Sequence, residues 1–296
     1  MPLRITAIDV GQGDATLIEA PSGEAMLIDA GPPGATDAAI LPLLESRGVR
    51  ELSQIIITHF HEDHTGGLSE VLAGRDGLAG TADDIKVKGD IYVRGIEENS
   101  AGGDGTGWTA WQDSYPRRIA HAGDRIKLGD CDVEVVAADG MLEDGTAIDY
   151  GEPPDENARS IALLISYAGF RMFVAADITG GGGDPPYQTP DIETPLAPLI
   201  GKIDVLRAAH HGSNTSSNQA FLDAAKPDVA IISVGDGNDY GHPHADVVER
   251  LLASGAAVYQ TERGLLEIDE PTIAHGPITI SVKESGQYDI TLPGDD

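Results

Sequence analysis

The feature that most constrains this chain is the passage from Ser53-Gln54-Ile55-Ile56-Ile57-Thr58 into His59-Phe60-His61-Glu62-Asp63-His64. A β-branched run of this kind packs well on a pleated surface and reads as a buried strand. The imidazoles and carboxylates behind it therefore arrive together at a strand's carboxyl end, where α/β sheets place their ligands. One ion with four donor positions cannot use them all. In extended chain His59, His61 and Asp63 point to one side, and a turn into the next helix swings His64 to a neighbouring position. Two ions about 3.5–4 Å apart are the economical solution, because a pair can bind both the attacking water and the leaving group. Gly66-Gly67 next to the run sets it apart from a chance string of surface polar residues.

The flanking pattern is that of an α/β protein. Arg4 to Val10, Ala15 to Ala20 and Ala25 to Asp29 are short apolar runs between Gly-rich turns and predict an opening β-meander. Thr36 to Arg47 has helical spacing with Thr36 as its cap, and Leu68 to Leu72 predicts the helix after the histidine run. A second half follows, with strands expected at Ile161 to Tyr167, Arg171 to Ala176, Val205 to Ala209 and Val229 to Val234, and a helix at Ala245 to Ser254. The mixture predicts two sheets between helices in one domain spanning 1–296. Segments 74–84, 99–118 and 179–198, rich in Gly with Asp or Pro, read as loop insertions. Gly74 to Asp84 clusters carboxylates among glycines but lacks the ligand order of a calcium loop, so a solvated acidic loop is expected.

Charge and composition narrow the partners. Forty-nine acidic against nineteen basic residues give a formal charge of -30, which repels nucleic acid and anionic lipid except at high salt, where screening would suit a halophile. No apolar stretch approaches the roughly 20 residues of a membrane span, so no membrane association is expected. Met1-Pro2-Leu3-Arg4-Ile5-Thr6 runs into a strand pattern without the marks of a secretory signal, which predicts a cytoplasmic protein. Cys131, the single cysteine, is expected in a strand as a buried small hydrophobe.

Further candidate ligands lie at later strand and loop ends. Asp177 follows the apolar run Arg171 to Ala176 and is the candidate for a bridging carboxylate. His210-His211-Gly212-Ser213 follows Val205 to Ala209, and Tyr240-Gly241-His242-Pro243-His244 precedes the Ala245 helix. Either pair alone would be weak, since paired histidines are often structural.

Together with Asp9-Val10-Gly11-Gln12-Gly13-Asp14-Ala15, Leu27-Ile28-Asp29-Ala30-Gly31 and Asn157 to Ser160, these segments resemble the metallo-β-lactamase superfamily. The opening motif and His210-His211-Gly212-Ser213 are most similar to the hydrolase domain of ComEC-type competence proteins, with phosphorylcholine esterases as near relatives. The resemblance implies a four-layered αββα sandwich and two divalent metal ions, zinc or manganese. It implies that His59 and His61 bind one metal, that Asp63, His64 and His242 bind the other, and that Asp177 bridges them. His244 is the alternative to His242, and Asp29 matches the aspartate that supports the ligands from behind. Where many members carry a third histidine for the first metal, this chain has Asn157, an oxygen donor that shifts the preference towards harder ions, with Glu156 as the other candidate.

The implied chemistry is hydrolysis by a hydroxide whose pKa the ions bring towards 7. Asp63 is expected to orient it or carry its proton, and His210 or His211 to hydrogen-bond the attacked oxygen or protonate the leaving group. The resemblance implies a phosphodiester substrate, with DNA as the candidate, and nuclease activity. Against DNA stand the charge and the few arginines, Arg117-Arg118 and Arg207, so a small phosphodiester or phosphorylcholine-type ester is the alternative. Trp108, Trp111 and Tyr115 are candidates for a lid or aromatic wall. A lactonase or β-lactamase, or a metal-binding module without catalysis, are the remaining readings.

Overall fold

The computed structural model describes residues 1–78, 80–95, 117–149, 155–183 and 188–295. Two sheets form its centre. The first has the strand order Tyr288–Thr291, Ile278–Val282, Leu3–Ala7, Thr16–Glu19, Ala25–Ile28, Gln54–Ile57, Ile91–Val93 and Arg117–Ile119. The second runs Met141–Leu142, Cys131–Ala138, Ala162–Tyr167, Phe170–Val174, Val205–Arg207, Val229–Ile232, Ala257–Gln260 and Thr272–Ile273, with Arg125–Leu128 also paired to Cys131–Ala138. Each sheet changes from antiparallel to parallel pairing, at Ala25–Ile28 with Gln54–Ile57 and at Phe170–Val174 with Val205–Arg207.

Alternation along single strands builds the layers, because successive side chains take opposite faces. Ile56 faces the core between the sheets, whereas Ile55 and Ile57 face the outer helices. In the second sheet Leu163 and Ile165 point inward and Ala162 and Leu164 outward. Burial on both faces is why these strands read as continuous apolar runs. Leu41, Leu44, Leu68 and Val71 cover the first sheet, and Leu196, Phe221, Val248 and Leu251 cover the second. The result is the expected αββα sandwich. Cys131 lies in the intersheet core, where burial pushes its thiol up to about 12.

Several local expectations are corrected. Thr36 is no cap: Thr36–Ile40 is a π turn leading into the Leu41–Arg47 helix, and its hydroxyl donates to the Gly67 carbonyl at 3.0 Å. That contact needs a bare glycine, since a Cβ at Gly67 would lie 2.3 Å from the Ala30 oxygen. The insertion expected to reach Pro198 ends at a helix over Glu193–Ile200, whose Leu196, Ala197 and Ile200 are buried. Arg117 and Arg118 belong to an edge strand, where Arg118 stands over the Tyr92 ring and pairs with Asp90, so they are not part of a loop. In the 74–84 segment, Asp83 and Asp84 accept from the N–H groups of Asp76, Gly80 and Thr81, so these acceptors serve the loop itself. Trp108, Trp111 and Tyr115 lie outside the described residues. No helix among the described residues is long and apolar enough to cross a membrane.

Candidate metal centre

The first sheet brings the histidine run to the site and fixes how each ring is protonated. Asp29, in a left-handed conformation after Ala25–Ile28, accepts from the Thr58 N–H and the Thr58 hydroxyl, both at 2.8 Å. Its Oδ2 also lies 2.7 Å from His64 Nδ1. A buried carboxylate only accepts, so His64 keeps a proton on Nδ1 towards Asp29 and turns Nε2 towards Asp177. Having donated to Asp29, the Thr58 hydroxyl accepts from His59 Nδ1 at 3.1 Å, which turns His59 Nε2 to the site as well. One aspartate thereby sets the tautomer of two rings.

Asp63 reaches the site differently from the sequence expectation. The helix Glu62–Thr65 begins directly after His61, so alternation along an extended chain governs only His59 and His61. Asp63 and His64 are delivered by a helical turn. The Gly11-Gln12-Gly13-Asp14 loop braces that turn: the Asp14 N–H donates to the Asp63 carbonyl at 3.0 Å, and a Cβ at Gly13 would lie 2.4 Å from the same oxygen. Gly13→Ala is therefore expected to displace Asp63 and weaken metal binding at least tenfold, the scale seen when a ligand's support is removed. A chelator titration checks this, and unchanged affinity would detach the loop from the site.

The second sheet supplies the opposing groups. Asp177, 2% exposed, follows Phe170–Val174 through Ala176, which is itself left-handed. Its Oδ1 lies 3.4 Å from His64 Nε2, and its Oδ2 lies 3.7 Å from both His59 Nε2 and His211 Nε2. His211 Nε2 is 3.2 Å from Asp63 Oδ2, while its Nδ1 donates to the Ser233 carbonyl at 3.1 Å. His61 Nδ1 lies 3.0 Å from His59 Nε2. Two groups of ligand atoms, His59/His64/Asp177 and Asp63/His64/His211, each fall within 4.8 Å of one another.

These donors suit divalent cations. Nitrogen and oxygen ligands at about 2.0–2.2 Å from a tetrahedral ion stand roughly 3.3–3.5 Å apart, close to the separations found here. Five buried atoms around the site, His64 Nε2, Asp177 Oδ1, His211 Nε2, Asn157 Oδ1 and His242 Nδ1, have no hydrogen-bond partner. Buried polar atoms left unpaired in a cluster point to an ion as the missing partner. Burial disfavours an imidazolium at His64, yet Asp177, Asp29 and Asp63 together hold its pKa well above the ordinary value. The field at this point favours positive charge.

The remaining candidates are placed as follows. His242 belongs to neither group: its ring centroid is 6.0 Å from that of His211 and 5.4 Å from that of His210, and burial with its histidine neighbours pushes its pKa down to about 3. His211 occupies the position beside Asp63 and His64 that the sequence assigned to His242. The cause is a run of three left-handed residues, His210, His211 and Gly212, which turns the His211 ring inward. Gly212 then packs where a Cβ would lie 2.7 Å from Pro243, which carries the His242 loop behind it. His244 precedes the Ala245–Ala253 helix and accepts from the Asn214 N–H at 3.3 Å, away from the ligand groups. Glu156 is spent elsewhere: Arg94 donates to both its oxygens, at 2.7 and 2.5 Å, and the Phe60 N–H donates to Oε1 at 2.9 Å. Asn157 stands at the site, its Nδ2 3.3 Å from His210 Nε2. His210 Nδ1 lies 3.0 Å from the Thr215 hydroxyl, and its Nε2 is 3.9 Å from Asp177.

The sequence matches the metallo-beta-lactamase superfamily over residues 8–236. The chain belongs to this superfamily. It is similar to ComE operon protein 3 of Bacillus subtilis, 25% identical over 275 residues that cover 88% of this chain and 32% of that protein. Recombination protein 2 of Haemophilus influenzae is 29% identical over 262 residues, covering 87% and 27% respectively. Competence protein ComA of Neisseria gonorrhoeae is 27% identical over 269 residues, covering 87% and 31%. The chain thus spans less than a third of the length of each of these relatives. Among solved structures, the metallo-beta-lactamase fold protein YhfI of Bacillus subtilis shares the fold at a TM-score of 0.52 and 11% identity, covering 88% of this chain and 96% of that one. The CmlA β-hydroxylase does so at 0.54 and 15%, covering 95% and 54%. In this metallo-β-lactamase domain the ligand groups open into a cavity of about 500 Å³, rimmed by Gln12, Pro32 and Tyr240. No lysine or arginine among the described residues lines it.

Proposed function

We propose that the domain is a dinuclear metal-dependent phosphodiesterase acting on DNA. The observation that carries the reading is Asp177, which offers one oxygen to His64 and the other to His59 and His211. One ion would be held by His59, His61 and Asp177 with an oxygen from Asn157, the other by Asp63, His64, His211 and Asp177. An amide oxygen at the first position fits manganese as well as zinc. When bound, such ions supply Lewis acidity that acidifies water and offsets charge on a phosphoryl group. Asp63, with 28% of its side chain exposed, faces the cavity and is placed to orient the attacking water. His210, free of the two ligand groups and held by Thr215, is the side chain positioned to hydrogen-bond a phosphoryl oxygen or protonate the leaving oxygen. The names of the relatives, competence and recombination proteins, support a DNA substrate.

A small phosphodiester is the second reading, favoured by the formal charge of -30 and by a cavity wall that carries no lysine or arginine among the described residues. Linear DNA, bis-p-nitrophenyl phosphate, p-nitrophenyl phosphorylcholine and nitrocefin, assayed with manganese or zinc at low and high salt, separate the readings. DNA cleavage that disappears in His59→Ala supports the nuclease. Cleavage of the small diesters with DNA untouched moves the substrate to the second reading, and turnover of nitrocefin alone overturns both.

Tyr240 offers what the missing cations do not. Its ring is 67% exposed at the cavity rim and stacks on His242 with centroids 5.7 Å apart and 23° between planes. Stacking of a base on such a ring contributes about 1–3 kcal/mol. Tyr240→Ala is expected to weaken a single-stranded oligonucleotide about tenfold, with Tyr240→Phe unchanged. Equal affinity in all three proteins removes the stacking role.

A further inference from the structure

Arg207, counted above among the few arginines that could meet DNA, is completely buried at the end of the Val205–Arg207 strand. Its Nη2 bonds to the Asp14 carboxylate, from the loop before the Thr16–Glu19 strand of the first sheet, and to the Ser233 hydroxyl. Its Nε and Nη1 have no hydrogen-bond partner. A buried guanidinium that leaves two nitrogens unsatisfied is poor material for stability, since an uncharged side chain of similar volume often does as well. Burial pushes its pKa down to about 9, so it stays charged at neutral pH.

What Arg207 does hold is the pair of residues behind two proposed ligands. Asp14, besides binding Arg207, donates its N–H to the Asp63 carbonyl at 3.0 Å. Ser233, whose hydroxyl contacts Arg207, accepts a hydrogen bond from His211 Nδ1 at 3.1 Å through its backbone carbonyl. Asp63 Oδ2 and His211 Nε2 then meet at 3.2 Å. The contacts form a closed circuit from Arg207 through Asp14, Asp63, His211 and Ser233 back to Arg207, and it crosses both sheets. We propose that Arg207 is a positioning residue that fixes the separation of Asp63 and His211, and with it the affinity of that half of the metal centre. The inference rests on the assignment of Asp63, His64 and His211 to one ion. It gives the Asp14 of the opening motif a role at the site, since Asp14 touches no substrate-facing atom itself.

The test measures metal bound per folded chain, by elemental analysis after dialysis and by titration against a chromophoric chelator. Wild type is expected to hold two ions. Arg207→Met should hold one tightly, with the affinity for the other reduced 10–100-fold, the usual effect of losing a ligand's supporting partner. Arg207→Lys, which keeps the charge within reach of Asp14, should recover part of that loss. The double variant Arg207→Met/Asp14→Asn has no orphaned buried charge, so it tests whether the loss comes from positioning. Continued weak binding in the double variant supports the inference, and recovery of the second ion there overturns it. Should Arg207→Met fail to fold, Ser233→Ala and Asp14→Asn singly give the same reading, each expected to lose the second ion selectively. Two ions at wild-type affinity in every variant overturn the inference while leaving the metal assignment intact. Fewer than two ions in wild type refutes the assignment itself.

Discussion

Asp177→Asn is expected to lower turnover of ester substrates by ~10³-fold or more, the scale of removing a whole electrostatic element from a site. The substitution keeps the volume, so packing of a residue only 2% exposed is preserved. What it removes is the carboxylate whose oxygens face His59, His64 and His211. The amide can offer an oxygen to one ion at most, so the bound metal should fall from two ions to one or none. Buried between His64, His211 and His210, the carboxylate stays ionised despite its burial, with its pKa well below the usual range. Steady-state kinetics with bis-p-nitrophenyl phosphate, together with metal analysis, measure both effects. Turnover within tenfold of wild type would show that Asp177 does not bridge.

The second large effect concerns stability and reaches the site through Phe60. Arg94 is fully buried, Glu156 is 2% exposed, and the two form a bidentate pair. Arg94 also stands over the Phe60 ring at 4.3 Å, and Glu156 accepts the Phe60 N–H. Removing one member of a buried pair leaves the other charge uncompensated and costs about 3–5 kcal/mol. Glu156→Ala is expected to show that loss in urea unfolding of the metal-free protein. Because Phe60 lies between His59 and His61, it should also weaken the first metal. The double variant Arg94→Met/Glu156→Gln removes both charges, so stability should largely return while the metal affinity stays low. A loss below about 1 kcal/mol in Glu156→Ala would mean the pair is solvated and supports nothing.

The layers and the heart of the site were legible because both depend on local pattern. The continuous apolar runs of Gln54–Ile57 and Ala162–Tyr167 encode sheets covered on both faces, and an apolar run ending in histidines encodes a site at a strand end. What escaped depends on backbone angles and long-range partners. Four residues at the centre, Asp29, Ala176, His210 and His211, have positive φ without being glycine. Only the surrounding structure holds such strained conformations in place, so spacing in the sequence cannot announce them. That is why the turn that brings His211 beside Asp63 could not be read from spacing. Glu156 looked like a spare ligand because Arg94, its partner, is 62 positions away. The pairing of Arg207 could not be read either, because its partner Asp14 is 193 positions away in a loop of the other half. A charged residue closing an otherwise apolar strand, as in Val205-Leu206-Arg207, was the available signal of a buried pair.

The centre itself is tested most directly by the number of ions bound per chain in His211→Ala and His242→Ala, measured beside the wild-type protein. Two ions in wild type, one in His211→Ala and two in His242→Ala are the predicted result. Loss of an ion in His242→Ala with both retained in His211→Ala would contradict the arrangement and return the second metal to the ligand set that the sequence implied.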